Sequence, residues 1–260
     1  MYPQPPLLII AQIADDFDLA HLPWCDAARK KVSVNRAKFR NLELAEVIVD
    51  AMPFRLTRLT ADETGELLTT NPCELLFRDR PPSGKSAIGV APGDNLAGAA
   101  YIPEVHRRLL LLGRWIGDSV AATATAWMPS RKLSSFAWYD NAVHQYLAEN
   151  RFPSPLHVSV SEARAGRFAT RGLRYFTGQE IRLTVPSHHD RAEASERMTQ
   201  IIADIVAHGR IDQPSRSEDP VRGETLIYTP SDDRERVDIL IRRDARKGIC
   251  LLYTSDAADE

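Results

Sequence analysis

Apolar and polar positions follow two different periods along this chain, and the period of each segment predicts a strand or a helix. The short apolar run LLIIAQI at residues 7–13 is typical of a buried strand. The alternating segment KKVSVNR predicts a second strand. The segment LELAEVIVDAMPF predicts a third strand, which ends at a Met-Pro-Phe turn.

Helical spacing marks three longer segments. After Pro103, a residue suited to the first turn of a helix, Val105, Leu109, Leu112 and Ile116 share one helical face. His106, in the same segment, is expected to face solvent. The segment SSFAWYDNAVHQYLAEN predicts a second helix that begins at capping serines. A third begins at a capping box, DRAE at residues 190–193, and ends at Gly209.

Further strands are predicted between and after these helices. The segments VAATATAW and EIRLTVP are strand-like, and ETLIYTP and RVDILIRR form a hairpin. In PLHVSVS, alternation places Leu156, Val158 and Val160 inward and His157 outward. The pattern is weakest at residues 60–100, where TADETGELL suggests a short helix and SAIGVAP a strand.

The order of these segments predicts an α+β fold with a mixed or antiparallel sheet covered by helices. Two β-α-β-β-like halves, at about residues 5–118 and 119–243, would share that sheet. Because no long Pro-, Gly- or Ser-rich linker interrupts the chain, we expect a single domain over residues 1–249. The tail 250–260, CLLYTSDAADE, resembles a translated sequencing adapter and is expected to be non-native. An acidic disordered tail is the alternative.

Composition and charge narrow the class of protein. The formal net charge is -2 without a basic block, which disfavours a nucleic-acid-binding protein. The N-terminal apolar run is too short for a membrane span, so we expect no membrane association. Three isolated cysteines without a CxxC pair are typical of a reducing, cytoplasmic environment.

Motifs that suggest metal or cofactor binding are incomplete. Gly84-Lys85-Ser86 ends like a phosphate-binding loop, but Asp79 and two prolines replace the residues that would cradle phosphate. His188 and His189 lack a third ligand, and Asp15 lacks a second carboxylate cluster. A reactive thiol at Cys25, four residues after His21, is a weaker alternative to a core cysteine. We therefore predict no metal site and no cofactor.

The segment FATRGLRYFTGQEIRL, residues 168–183, contains the candidate binding residues Thr170, Arg171 and Glu180. Its glycines, Gly172 and Gly178, are placed for a turn and a strand entry. We expect at least two of Leu173, Tyr175 and Phe176 to be buried, and Arg171 and Glu180 to pair across the segment or to reach one neighbour. This pattern favours a structural joint over a binding site.

The segment TRGLRYFTGQEIRL, followed by an amphipathic helix and a closing hairpin, resembles the bacterial family called domain of unknown function 4261. The matching residues are Thr170, Gly172, Leu173, Gly178, Glu180 and Ile181. PLHVSVSEA stands at the position of that family's preceding strand, and the resemblance is specific from about residue 120 to 243. It implies a bacterial cytosolic α+β protein without an assigned activity or catalytic residues.

Two functions remain open. The sequence favours a non-enzymatic binding or regulatory module that acts through an unidentified protein partner, with Trp138, Tyr175 and Arg171 as candidate contacts. The alternative is a hydrolase or transferase whose site is assembled from scattered polar residues, for instance His157, Glu180 and Asp15. The sequence does not specify a substrate or an oligomeric state.

Overall fold

A computed structural model of the chain describes residues 4–14, 16–24, 28, 31–39, 42–76, 82–99, 102–164, 166–186 and 191–243. The strands in these ranges are β1 (Leu7–Ala11), β2 (Val32–Phe39), β3 (Leu42–Val49), β4 (Met52–Leu59), β5 (Glu74–Leu75), β6 (Ser86–Pro92), β7 (Ala124–Trp127), β8 (Lys132–Ser135), β9 (Ser159–Arg164), β10 (Arg167–Arg171), β11 (Glu180–Thr184), β12 (Ser215–Asp219), β13 (Glu224–Pro230) and β14 (Arg236–Arg243). The helices are α1 (Ala61–Thr70), α2 (Pro103–Ser119), α3 (Phe136–Glu149), α4 (Ser154–His157), α5 (Arg174–Thr177) and α6 (Arg191–His208). Two 3₁₀ turns span Leu19–His21 and Asp94–Ala99.

The first half of the chain, with β7 and β8, builds an eight-stranded sheet in the order β2-β3-β4-β6-β1-β7-β8-β5. All neighbours are antiparallel except the short pair β5 and β8. Strand β1 is buried on both faces, because Leu7 and Ile9 pack into the main core with α2 while Leu8 and Ile10 pack with the α1 side. That two-sided burial explains why β1 is continuously apolar.

The predicted helices α2 and α3 are confirmed, and they form where the sequence pattern places them. The apolar face of α2 is buried against the first sheet, and Pro103 occupies its first turn. Ser135 caps α3 by accepting a hydrogen bond from the Trp138 amide at 3.3 Å. His106 is an exception to the prediction for α2, since its side chain is buried in the core.

The second half forms a separate six-stranded sheet in the order β12-β13-β14-β11-β10-β9, in which β11 and β14 are parallel. The fold is α+β, as predicted, but the expected single shared sheet is wrong. Helix α6 covers one face, where Met198, Ile201 and Ile202 share a core with Ile181 and Leu183. The side chains on the other face are half-buried or exposed.

One continuous hydrophobic core extends from the first sheet to the second. The sheets meet where the 128–131 turn between β7 and β8 contacts the start of β9 and the end of β10. The individual strands follow local patterning, whereas this junction depends on contacts between residues that are distant in the chain.

Some local predictions are wrong for identifiable reasons. The Met-Pro-Phe segment is not a turn, because the turn lies at Asp50 and Ala51, both with positive φ, and Met52 begins β4. In the weak region at residues 60–100 the suggested helix and strand are confirmed as α1 and β6, and the short strand β5 is an addition to them. The predicted cap Asp190 and the tail 250–260 lie outside the described residues.

None of the helices in the described part of the chain is both long and apolar enough to cross a lipid bilayer.

Candidate functional site

The segment between β10 and β11 is a tight connection built on one helical turn, α5. Leu173 and Phe176 are buried and Tyr175 is half-buried, so the prediction that at least two of the three are buried is confirmed. Gly172 and Gly178 bracket α5 with φ values of 96° and 77°. The left-handed conformation of both residues explains why glycine occupies them.

The carboxylate of Glu180 organises this connection. One oxygen, Oε1, accepts hydrogen bonds from the amides of Gly172 at 2.7 Å and Arg174 at 3.3 Å. The other, Oε2, accepts from the Thr170 hydroxyl at 2.7 Å, and that hydroxyl oxygen accepts from the Ile181 amide at 2.7 Å. Both carboxylate oxygens of Glu180 therefore accept hydrogen bonds from groups within the connection between β10 and β11.

Arg171 has a different partner. Its Nη2 donates to the carbonyl oxygen of Ser130 at 3.0 Å, and the Ser159 hydroxyl donates to the same oxygen at 3.0 Å. The expected pairing of Arg171 with Glu180, or with one shared neighbour, is wrong. Arg171 donates a hydrogen bond from the second sheet to the β7–β8 turn of the first, whereas Glu180 accepts hydrogen bonds within the α5 connection.

His157 lies in a different place from the one predicted. The sequence PSPLH forms a helical turn, α4, closed by a hydrogen bond from the Val158 amide to the Ser154 carbonyl at 2.8 Å. This turn rotates His157 into the core, where it is 1% exposed, and leaves Val160 at the sheet edge, 39% exposed. The prediction of an outward His157 is wrong, because the strand begins later than the alternation suggests. Leu156 and Val158 are buried as predicted, and Val160 lies opposite the buried Thr170 but is exposed because β9 is an edge strand.

His157 belongs to a cluster of rings at the junction of the two sheets. Trp127 lies edge-on to His157 with ring centroids 4.7 Å apart and stacks on Phe176 at 5.3 Å. His106 packs edge-on against Phe176 at 5.1 Å. These contacts join β7, α2, α4 and α5, which are far apart in the sequence.

Several buried polar atoms in this cluster have no hydrogen-bond partner among the described residues. They are both ring nitrogens of His157, Nε2 of His106, Nε1 of Trp127, Oγ of Ser130 and the hydroxyl of Tyr175. Each unpaired buried group costs about 1–3 kcal/mol. The junction therefore places polar atoms without hydrogen-bond partners inside an otherwise apolar core.

Burial also fixes the charge of the two histidines. Desolvation, together with the nearby His106 and Lys132, lowers the pKa of His157 to about 3. Desolvation and the charge of Arg107 lower the pKa of His106 to about 4. Both imidazoles are neutral at pH 7, and His157 is sealed from solvent, which does not suit a general base acting on a substrate.

The scattered catalytic constellation is not joined by hydrogen bonds in the described structure. Neither nitrogen of His157 bonds to Glu180, whose oxygens are directed at Thr170 and the α5 backbone. Asp15 and Cys25 lie outside the described residues. The Gly84-Lys85-Ser86 motif leads into strand β6, whereas a phosphate-binding loop opens a helix.

The described residues also contain no group of three or more His, Cys, Asp or Glu side chains placed to hold a metal ion.

A groove of about 400 Å³ lies between α3 and α6. Its floor is the 151–156 segment, and its walls are Trp138, Ala142 and Gln145 from α3 and Thr199, Gln200 and Ala203 from α6. Trp138 is 38% exposed, an unusual position for so large an apolar ring. The sequence reveals the helical spacing of the wall residues, but the groove depends on the approach of two helices that are far apart in the chain.

Comparisons with known proteins gave no match, either to a protein-family model or to a curated protein or solved structure. The resemblance to domain of unknown function 4261 therefore stays a prediction from the sequence.

We expect substitutions of the two turn glycines to differ in severity. A Cβ on Gly172 would lie 2.6 Å from Ser130 Cβ and 2.9 Å from the His157 carbonyl oxygen, whereas a Cβ on Gly178 would meet the flexible end of Arg210 at 3.1 Å. Gly178→Ala should cost about 1–2 kcal/mol through its left-handed backbone, and Gly172→Ala distinctly more. Urea denaturation measures both; equal losses would contradict the assigned close contact at Gly172.

Glu180→Ala should destabilise the protein by about 2 kcal/mol, because two backbone amides and a hydroxyl lose a charged acceptor. Arg171→Ala should cost less than about 1 kcal/mol, since this exposed residue donates one observed hydrogen bond. Thermal and urea unfolding of the two variants test this order. A larger loss for Arg171→Ala would show that Glu180 does not organise the connection.

Acid should destabilise the fold through the two buried histidines. In the unfolded chain a histidine binds a proton near pH 6.5, while the folded protein keeps both neutral down to about pH 4. Stability is therefore complete above pH 6.5 and falls as the pH decreases, by up to about 1.4 kcal/mol per pH unit for each histidine. Urea midpoints between pH 7 and pH 5 measure this slope.

The aromatic replacement His157→Phe should reduce the slope, because it removes one of the two buried imidazoles. A slope that His157→Phe does not alter would assign the acid sensitivity to other groups.

Proposed function

We propose that this protein is a non-enzymatic binding module that takes a helical segment of a protein partner in the groove between α3 and α6. The observation that carries the proposal is the partial exposure of Trp138 beside a concave, mostly apolar surface. Tryptophan and arginine are the residues that most often dominate the free energy of protein association. A groove between helices is also a common receptor for an amphipathic helix.

The shape of the groove supports this occupant. Ala142 and Ala203 leave space on opposite walls, so a partner backbone can approach closely. Pro153 and Pro155 restrict the backbone of the floor, which reduces the entropy lost when a partner binds. The buried side chains of Phe152 and Leu156 connect the floor to the main core and hold it in place.

Charge supports one feature of the partner. Arg151 is exposed at the groove and has no hydrogen-bond or ion-pair partner among the described residues. Its guanidinium can pair bidentately with a carboxylate. The partner helix that fits this surface therefore has apolar residues on one face and an acidic residue at the end that meets Arg151.

The alternative of a hydrolase or transferase has less support. It needs His157 and Glu180 as reactive groups, but the first is buried and neutral and the second accepts hydrogen bonds from the α5 connection. The half-buried free Cys73 is compatible with the cytoplasmic location that the cysteine pattern suggests.

A displayed library of helical peptides tests the proposed groove and does not require that the natural partner be identified first. Selection on the intact chain should enrich peptides with an apolar stripe and an acidic residue. Trp138→Ala should weaken their binding at least tenfold, consistent with the loss of a tryptophan anchor of about 2 kcal/mol. Arg151→Gln should weaken only the peptides that carry the acidic residue, as measured by titration calorimetry.

Ile102→Ala is the matched control, because Ile102 is a similarly exposed apolar residue that does not line the groove. Peptides that bind Trp138→Ala and the unaltered chain equally well would overturn the proposal, as would a selection without enrichment.

A further inference from the structure

The outer face of the six-stranded sheet carries a concentration of arginine. Outward positions alternate with the buried positions that face α6, and seven arginines occupy them: Arg164, Arg167, Arg171, Arg182, Arg216, Arg236 and Arg242. Asp238, Glu218 and Glu180 are acidic neighbours on that face. The whole chain has a net charge of -2, so the charge of this face is more positive than that of the chain as a whole.

The strand register places two of these charges directly opposite each other. Arg164 of β9 is the partner of Arg167 of β10 at the end of their hairpin. Like charges at directly opposite positions destabilise a strand pair. Neither guanidinium has an ion pair or hydrogen bond with another described residue, and the acidic side chain at this hairpin end, Glu162, accepts a hydrogen bond from the Gly166 amide at 3.2 Å.

The same two residues line a hollow. Its volume is about 300 Å³, and Arg182 on β11 completes the arginine lining while Ala163 and Ala169 leave room between the long side chains. Arg182 has one acidic neighbour, with its Nε 3.7 Å from Asp238 Oδ1, which is longer than a close charge-assisted hydrogen bond. Three arginines thus border one small depression.

We infer that this hollow is an anion-binding site for a phosphate monoester of a small molecule. Arginine forks match the terminal oxygens of phosphate bidentately, and a phosphate dianion offers three such oxygens to three guanidinium groups. A carboxylate offers two oxygens and one charge, so it would satisfy this set less completely. Single-stranded nucleic acid needs exposed aromatic rings for base stacking, and the ring of Phe168 in the lining is 5% exposed and belongs to the core side.

A bound phosphate group would also stabilise the β9–β10 hairpin. It would screen the repulsion between Arg164 and Arg167, which close that hairpin. The site is independent of the groove between α3 and α6, because α6 covers the opposite face of the sheet.

Titration calorimetry with inorganic phosphate and with glycerol 2-phosphate, at constant ionic strength, tests the site. We expect saturable binding of one equivalent, at least tenfold weaker in Arg164→Gln and in Arg167→Gln. Arg216→Gln is the control, since Arg216 lies on the same face but on the far edge strand β12, and it should bind like the unaltered chain. Acetate at the same concentration should bind at least tenfold more weakly than phosphate.

Thermal unfolding with and without phosphate provides a second measurement, which distinguishes a variant that does not bind phosphate from a variant that does not fold. Without phosphate, Arg164→Gln should melt at or above the temperature of the unaltered chain, because a like-charge contact is removed. With phosphate, the unaltered chain should gain stability and Arg164→Gln should not. Binding that does not saturate, or that Arg216→Gln weakens as much as Arg167→Gln, would indicate an adventitious ion only and overturn the inference. Saturable binding of a phosphoserine peptide without binding of glycerol 2-phosphate would also overturn it.

Discussion

The contact of the Ser130 turn with the second sheet is the constraint on which the rest of this structure depends. The Ser130 carbonyl accepts hydrogen bonds from Arg171 and Ser159, and the backbone of Gly172 approaches Ser130 so closely that a Cβ would not fit. Because these contacts fix β9 and β10 against the end of β7, they also set where the buried rings meet. The turn thus lies where the two sheets meet beside one continuous core.

The ring cluster beside that turn contains a side chain that could act in catalysis but that is buried in the core. His157 has the side chain of an acid-base catalyst, but Trp127 and Phe176 enclose it and burial keeps it neutral. Its two unpaired nitrogens weaken the junction without giving a substrate access to the ring. A buried titratable group of this kind makes the junction sensitive to acid, which is a property of the fold and not of a reaction.

The sequence predicts features that depend on local signals and misses those that depend on distant contacts. The apolar face of α2, the serine cap of α3 and the turn glycines of the 168–183 segment are all local. The prediction for PLHVSVS is wrong at His157, because Ser154 and Pro155 open a helical turn that brings this side chain into the core. Strand order and the partner of Arg171 were not predictable, since long-range pairing sets the first and Ser130 is 41 positions from Arg171. For the same reason Trp138 could be named as an exposed aromatic, but its groove exists only once α6 packs beside α3.

The two faces of the six-stranded sheet differ in character, since one is apolar and covered by α6 and the other carries arginines. On one side α6 buries the apolar strand positions and forms a wall of the Trp138 groove with its opposite flank. On the other side the outward strand positions carry arginines, which would be costly to bury and therefore keep that face open. Strand alternation at β10 and β11 places Leu183 toward α6 and the paired Ala169 and Arg182 toward the hollow. The apolar groove and the arginine-lined hollow thus lie on opposite sides of one sheet: the approach of α3 and α6 forms the first, and the strand register at β10 and β11 forms the second.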